Sequence, residues 1–309
     1  MTNRFPAVRQ RIAAMTGLAA IALSFWANPS LAADPFRTNN PHKIGSKTEA
    51  AFRSIFEAGN YKDARRYLQE AEATESSEPL TYAMKASLAY MDQDWNSLKS
   101  YAIKTRQTAE KLVTSDPLRG NLYVAAGNFL EGAYILSPGG EGNVKGTPQA
   151  LGKLQQVFTA LKAAEKVDPQ DPELNLLKGY MDLMLAVNLP FSNPNQAIDR
   201  LEKYANPRYI AYRGIAVGYR DLKQPNKAIQ AINNALQAAP NNPDLLYLKA
   251  QILVRQGKNQ ESLRFFDQAL AKQSQLPDRL VKQISWEKCR TQSRINNTEG
   301  SCQAVWNRS

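Results

Sequence analysis

Residues 209–242 read YIAYRGIAVGYRDLKQPNKAIQAINNALQAAPNN, and residues 243–276 read PDLLYLKAQILVRQGKNQESLRFFDQALAKQSQL. The two 34-residue stretches align without a gap. Ala228 falls on Ser262 and Ala235 on Ala269, small on small, while Ile232 falls on Phe266, large on large. Turn-forming residues sit within one position of the same place in each, Lys223 to Asn226 and Gln256 to Asn259. A fixed period in this range is the mark of stacked helix–turn–helix units, each too small to bury its apolar face alone. Residues 45–78 give a third copy, with the turn Ala58 to Tyr61 followed by Ala64, Leu68 and Ala71, but with bulky Phe52 at a small-residue position.

Proline punctuates the same beat, at Pro79, Pro117, Pro172, Pro243 and Pro277. Asp116, Asp171 and Asn242 precede three of these, which is helix-start chemistry. An Asx side chain accepts from an orphan N–H, and proline suits the first helical position because its missing donor is not needed there. Glu78 and Leu276 are poorer caps. The units between residues 79 and 208 are irregular. One has a second helix running to Val113, and one has a long interruption before a helix Gln149 to Val167. Ala, Leu, Gln and Lys dominate and no alternating β-branched runs appear, so the chain is expected to be all-α.

These residues resemble the tetratricopeptide repeat (TPR). Tyr212, Ala216, Tyr219, Ala228, Ile232, Ala235 and Pro240 occupy the family's positions 4, 8, 11, 20, 24, 27 and 32. The resemblance implies an all-α TPR-type helix–turn–helix solenoid over residues 45–276, about six repeats, with regular repeats at 209–242 and 243–276. Residues 277–309 would form a capping helix and tail. It also implies a concave groove lined by the first helix of each pair, which here presents Tyr180, Arg213, Arg220, Tyr247, Gln251 and Arg255. Arg and Tyr are enriched in binding hot spots. The family's carboxylate clamp is not carried over, because Arg213 and Val217 stand at two of its positions.

The N-terminus reads as a secretory signal peptide. Arg4, Arg9 and Arg11 precede an apolar run from Ile12 to Trp26, and Ser30-Leu31-Ala32 fits a small-x-small cut after Ala32. The run is shorter than the roughly 20 residues that span a bilayer, so a retained anchor is the alternative. Residues 33–44, with Pro35, Pro41 and Gly45 against helix, read as an extended linker. In an exported chain the two cysteines, Cys289 and Cys302, suggest a disulfide that staples the tail, with two free thiols as the alternative. Trp306 would then lie against the end of the stack. A signal peptide ahead of degenerate repeats is similar to exported cyanobacterial TPR proteins without an assigned role.

The formal charge is +11, and +8 once residues 1–32, with three Arg and no acid, are set aside. Such a surface attracts anionic partners. Export disfavours nucleic acid, and no dense Lys/Arg block with interleaved aromatics is present. His42 is the only histidine, so serine or cysteine triads and common zinc sets are missing. The expectation is a non-catalytic scaffold without cofactor or metal. It would bind a protein or peptide, an acidic one being compatible with the charge, and a membrane surface is the alternative. Two interruptions, the Gly-rich stretch Ser137 to Pro148 and residues 188–195 with Phe191, are expected to be long loops, which are often functional.

Overall fold

In a computed structural model, the structure describes residues 34–188, 193–298 and 302–304. The signal-like residues 1–32 and Trp306 lie outside the described residues. Thirteen α-helices follow one another among those described: α1 Ser46–Phe56, α2 Tyr61–Thr74, α3 Pro79–Asp92, α4 Trp95–Leu112, α5 Pro117–Leu136, α6 Gly142–Val167, α7 Pro172–Asn188, α8 Pro194–Lys203, α9 Arg208–Asp221, α10 Pro225–Ala238, α11 Pro243–Arg255, α12 Asn259–Leu270 and α13 Asp278–Asn296. A short 3₁₀ turn, Gln273–Gln275, precedes α13. No strand occurs among the described residues. Helices α1 to α12 form six antiparallel pairs, and α13 packs on α12 as the cap. Ala64, Ala216, Ala228, Ala235, Ala250 and Ala269 are fully buried where neighbouring helices approach, as the small-residue beat requires.

Proline starts α3, α5, α8, α10 and α11. Asp116 and Asn242 cap as expected, accepting from Arg119 N–H and from Asp244 and Leu245 N–H. Glu78 proves a working cap, because its longer side chain folds back to accept from Leu80 N–H at 2.9 Å. Pro277 itself is the N-cap of α13.

Two expected loops need correction. The Gly-rich stretch is a turn only to Glu141; Gly142 to Pro148 are the first turns of the 26-residue α6. The reason is tertiary. Helix α5 is 20 residues long and buries side chains on most of its circumference, so a long partner is needed to cover it. Gly146 lies against Ile135, where a Cβ would come within 2.8 Å of its Cγ2. The second stretch is helical at both ends, in α7 and α8, and Phe191 lies outside the described residues.

Residues 34–44 are non-helical, but they are a packed strap rather than a free linker. Asp34, Phe36 and Ile44 are buried, and Phe36 meets the Phe52 ring edge-on at 4.8 Å. That contact explains the bulky residue at a small-residue position: Phe52 faces the strap instead of a preceding helix. Along its length the strap crosses the starts of the first helices of several pairs. Asn206 Nδ2 donates to Phe36 O, Arg37 pairs with Asp171, and His42 Nδ1 lies 2.7 Å from Asp116 Oδ2. Beneath it, buried Arg119 on α5 reaches Glu78 and Glu173, joining the second, third and fourth pairs.

The stack also closes on itself. Asn242, the cap of α11, donates from Nδ2 to Phe56 O and Glu57 O at the end of α1, and Tyr61 Oη donates to Asp244 Oδ2 at 2.5 Å. At Gly59, a Cβ would sit 2.5 Å from Pro243 Cδ, so only glycine allows that approach. The six pairs therefore form a ring whose first and last members touch.

Candidate peptide-binding groove

Helices α3, α5, α7, α9 and α11 share one direction around the inner wall, because each pair is antiparallel. The N-terminal ends of α5, α7 and α9 meet the strap. The C-terminal halves of all five line the opposite mouth.

Of the six residues expected to line the groove, two serve the wall itself. Tyr180 Oη donates to Ile210 O at 2.7 Å, and its ring lies against Gly214, where a Cβ would come within 2.6 Å of ring carbon Cε2. Arg213 is surrounded by Tyr180, Asp244 and Tyr61; burial alone would lower its pKa, but those neighbours raise it overall. The Asp244 carboxyl is pushed up by burial, only partly offset by Arg213 and Tyr61. Arg213 thus belongs to the ring seam.

Of the other four, Arg220, Gln251 and Arg255 line one pocket between α9, α11 and α13, and Tyr247 lies behind its wall on Glu287. Tyr247 Oη donates to Glu287 Oε1 at 2.7 Å, and Gln251 Nε2 donates to both Glu287 oxygens. Arg220 Nη1 donates to Gln251 Oε1 at 2.6 Å while its Nε and Nη2 hold Asp221. Arg220, Gln251 and Arg255 line a hollow of about 600 Å³ together with Trp286, Arg290 and Arg294. Glu287 is occupied by Tyr247 and Gln251, and Asp221 by Arg220. Arg255, Arg290 and Arg294 make no ion pair among the described residues, and Arg290 lies over the Trp286 ring at 4.7 Å. Asp221 and Glu287 also line the hollow, but with both held by other partners, three arginines free of ion pairs beside an aromatic face make a site for an anionic group with an apolar neighbour.

The α13 contribution was missed in the sequence, where that helix reads as a cap. The signal was present: Trp286, Arg290 and Arg294 recur every four residues and so share one helix face. A second, apolar hollow of about 910 Å³ lies at the C-terminal ends of α3 and α5, against α6 and α7. Among the described residues, no cluster of three or more His, Cys, Asp or Glu could hold a metal, and no helix is long and apolar enough to cross a membrane.

Residues 219–284, about a fifth of the chain, match the tetratricopeptide repeat family. The fold is an all-α TPR-type solenoid. The match spans the last turn of α9 through the first turns of α13, within the part where the 34-residue period is regular. No curated protein matches the chain. Among solved structures, a thermophilic TPR protein of Thermus thermophilus is similar at 16% identity, covering 80% of this chain and 97% of that one, with a TM-score of 0.32. The TPR2AB domain of yeast Sti1 in a complex with pHSP90 is similar at 14% identity, covering 84% and 95%, with a TM-score of 0.30.

Proposed function

We propose that this protein is an exported, non-catalytic interaction or assembly scaffold that holds a carboxylate-bearing segment of a partner protein in the pocket between α9, α11 and α13. The observation that carries this is the trio Arg255, Arg290 and Arg294, left without acidic partners around a hollow of about 600 Å³. A solvated arginine costs little, but three converging on one hollow repel each other and are relieved by an anion. The formal charge, +8 without residues 1–32, adds long-range attraction for an acidic partner. A glutamate-rich peptide titrated against the full chain should bind with an affinity that falls with salt. Arg255→Glu with Arg294→Glu should abolish that binding. Equal binding of the peptide by the double variant would refute the assignment.

Export rests on the signal-like residues 1–32, and the periplasm, or the thylakoid lumen in a photosynthetic bacterium, is the compartment this favours. The alternatives within this class are a non-catalytic subunit of an envelope enzyme complex and a scaffold tethered through residues 12–26. Sequencing the N-terminus of protein from its own host decides between cleavage and tethering: a start at Ala33 supports cleavage, and Met1 or Thr2 supports the tether.

A further inference from the structure

The basic pocket occupies only part of its mouth. Next to it, the C-terminal ends of α3, α5 and α7 and the side of α6 form the apolar hollow of about 910 Å³, lined by Tyr90, Met91, Phe129, Leu136, Leu151 and Met184. Tyr90, Leu151 and Met184 are 52%, 55% and 41% exposed. Large, partly exposed apolar side chains around one hollow mark an interaction site, whereas singly scattered ones do not. The two hollows are linked by α13. Its first turns, at Leu280 and Gln283, border Tyr90 and Met91, and its next turns carry Trp286 and Arg290 into the basic pocket.

We infer that the two hollows form one bipartite site, which takes an amphipathic helix of a partner protein with its apolar face in the cleft and adjoining acidic residues on the arginines. This rests on the reading of the basic pocket given above. The cleft favours a helix for a physical reason. Along the sides of α5 and α6 that form its length the backbone groups are paired within each helix, so an extended segment laid there would bury N–H and C=O groups without partners. A helix satisfies its backbone internally and presents side chains at i, i+3, i+4 and i+7 to an apolar groove. The methionines of the wall, Met91 and Met184, are unbranched and adapt to the shape of what enters. Charge complementarity selects the partner. A second copy of this chain, formally +8 without residues 1–32, would bring like charge to Arg255, Arg290 and Arg294, whereas an acidic flank would neutralise them.

The test uses the full chain and two labelled peptides followed by fluorescence anisotropy. One is a designed helix with leucines at i, i+3, i+4 and i+7 followed by a run of glutamates; the other is the glutamate run alone. Leu151→Glu and Met184→Glu change half-exposed side chains, so the fold should persist, and thermal melting checks this; Leu151→Gln serves if the charged variant fails to fold. Each should weaken the two-part peptide roughly ten-fold or more and leave the glutamate run unaffected. Unchanged affinity for the two-part peptide in both variants overturns the inference. If the glutamate run does not bind at all but Leu151→Glu still releases the two-part peptide, the basic pocket fails and the apolar cleft stands. Self-association in sedimentation, or binding to anionic vesicles, that Leu151→Glu abolishes while peptide binding persists would give the cleft to a second copy or to lipid and overturn the inference.

Discussion

Tyr61 Oη lies 2.5 Å from Asp244 Oδ2, although 183 positions separate the two residues. Tyr61 begins α2 and Asp244 lies in the first turn of α11, so this one bond joins the first helical pair to the sixth. Neighbour-to-neighbour stacking alone would leave these ends apart, as a solenoid repeat touches only the repeats beside it. The seam converts an open cradle into a ring with two mouths, one crossed by the strap and one open.

Tyr61→Phe tests the seam with the smallest change. Burial raises the Tyr61 phenol well above its ordinary range, so it remains the proton donor, and its loss leaves half-buried Asp244 with the charge of Arg213 alone. A destabilisation of about 1.5–3 kcal/mol is expected in urea unfolding, the cost of a lost bond to a charged acceptor. Hydrogen exchange should quicken in α1 and α11 before the rest. No change in either measurement would mean that the ends do not meet in solution.

Arg119 tests the ion cluster under the strap. Its guanidinium forks onto Glu78 through two nitrogens and holds Glu173 with a third, and it is only 2% exposed. Removing it leaves two carboxylates in a buried place, so Arg119→Ala should cost about 3–5 kcal/mol. Arg119→Lys should recover little of this, since a single ammonium cannot reproduce the fork. A lysine variant as stable as the parent would show that charge alone, without the fork, holds the three pairs together.

The regular repeats were readable because close helix packing demands small residues at fixed intervals, and Ala228, Ala235 and Ala250 meet that demand locally. The closed ring was not readable. It depends on the small rotation that accumulates over six pairs, and no single pair encodes it. The strap shows a related limit. Pro35, Pro41 and Gly45 exclude a helix, but nothing in that stretch states that Phe36 will dock on Phe52 or that His42 will find Asp116. In the site, Arg220, Gln251 and Arg255 followed from repeat position. Arg290 and Arg294 did not, because they lie on the capping helix, outside the repeat pattern.

Acid should loosen the strap. Burial pushes the Asp116 carboxyl up, but its contact with His42 and the Arg119 backbone N–H pull it down further, and its pKa ends below the ordinary value. A carboxyl lowered in the folded state contributes stability that is present above its unfolded pKa and is lost as pH falls through the folded one. The window therefore lies below roughly pH 4. Asp116→Asn keeps a cap oxygen for α5 but removes this titration. The parent should lose stability relative to that variant as urea unfolding is repeated from neutral pH down to about pH 3. A constant difference across the range would exclude the His42–Asp116 contact as the acid-sensitive element.

The bond between Cys289 and Cys302 should matter for binding as well as for stability. The two Cα atoms are 5.8 Å apart and the bonded sulfurs close a loop across 13 positions, folding residues 302–304 back along the last turns of α13. Such a loop is worth about 3 kcal/mol in the chain-entropy account, acting on the unfolded tail more than on the ring. Cys289 lies between Trp286 and Arg290, and Arg294 follows one turn later, so the staple holds the same turns that build the basic pocket. Among the described residues the outer half of α13 buries little besides Thr291, so it has few contacts to keep it helical once the bond is cut. Reduction, or Cys302→Ser, should therefore fray α13 from its C-terminal end and leave residues 209–276 folded. The glutamate-rich peptide should then bind several-fold more weakly, as Arg294 loses its fixed position. Thiol counting on denatured, unreduced protein comes first, and two reactive thiols per chain would remove the premise. With the bond established, unchanged peptide affinity after reduction would show that α13 keeps its place without the staple and that the pocket does not depend on it.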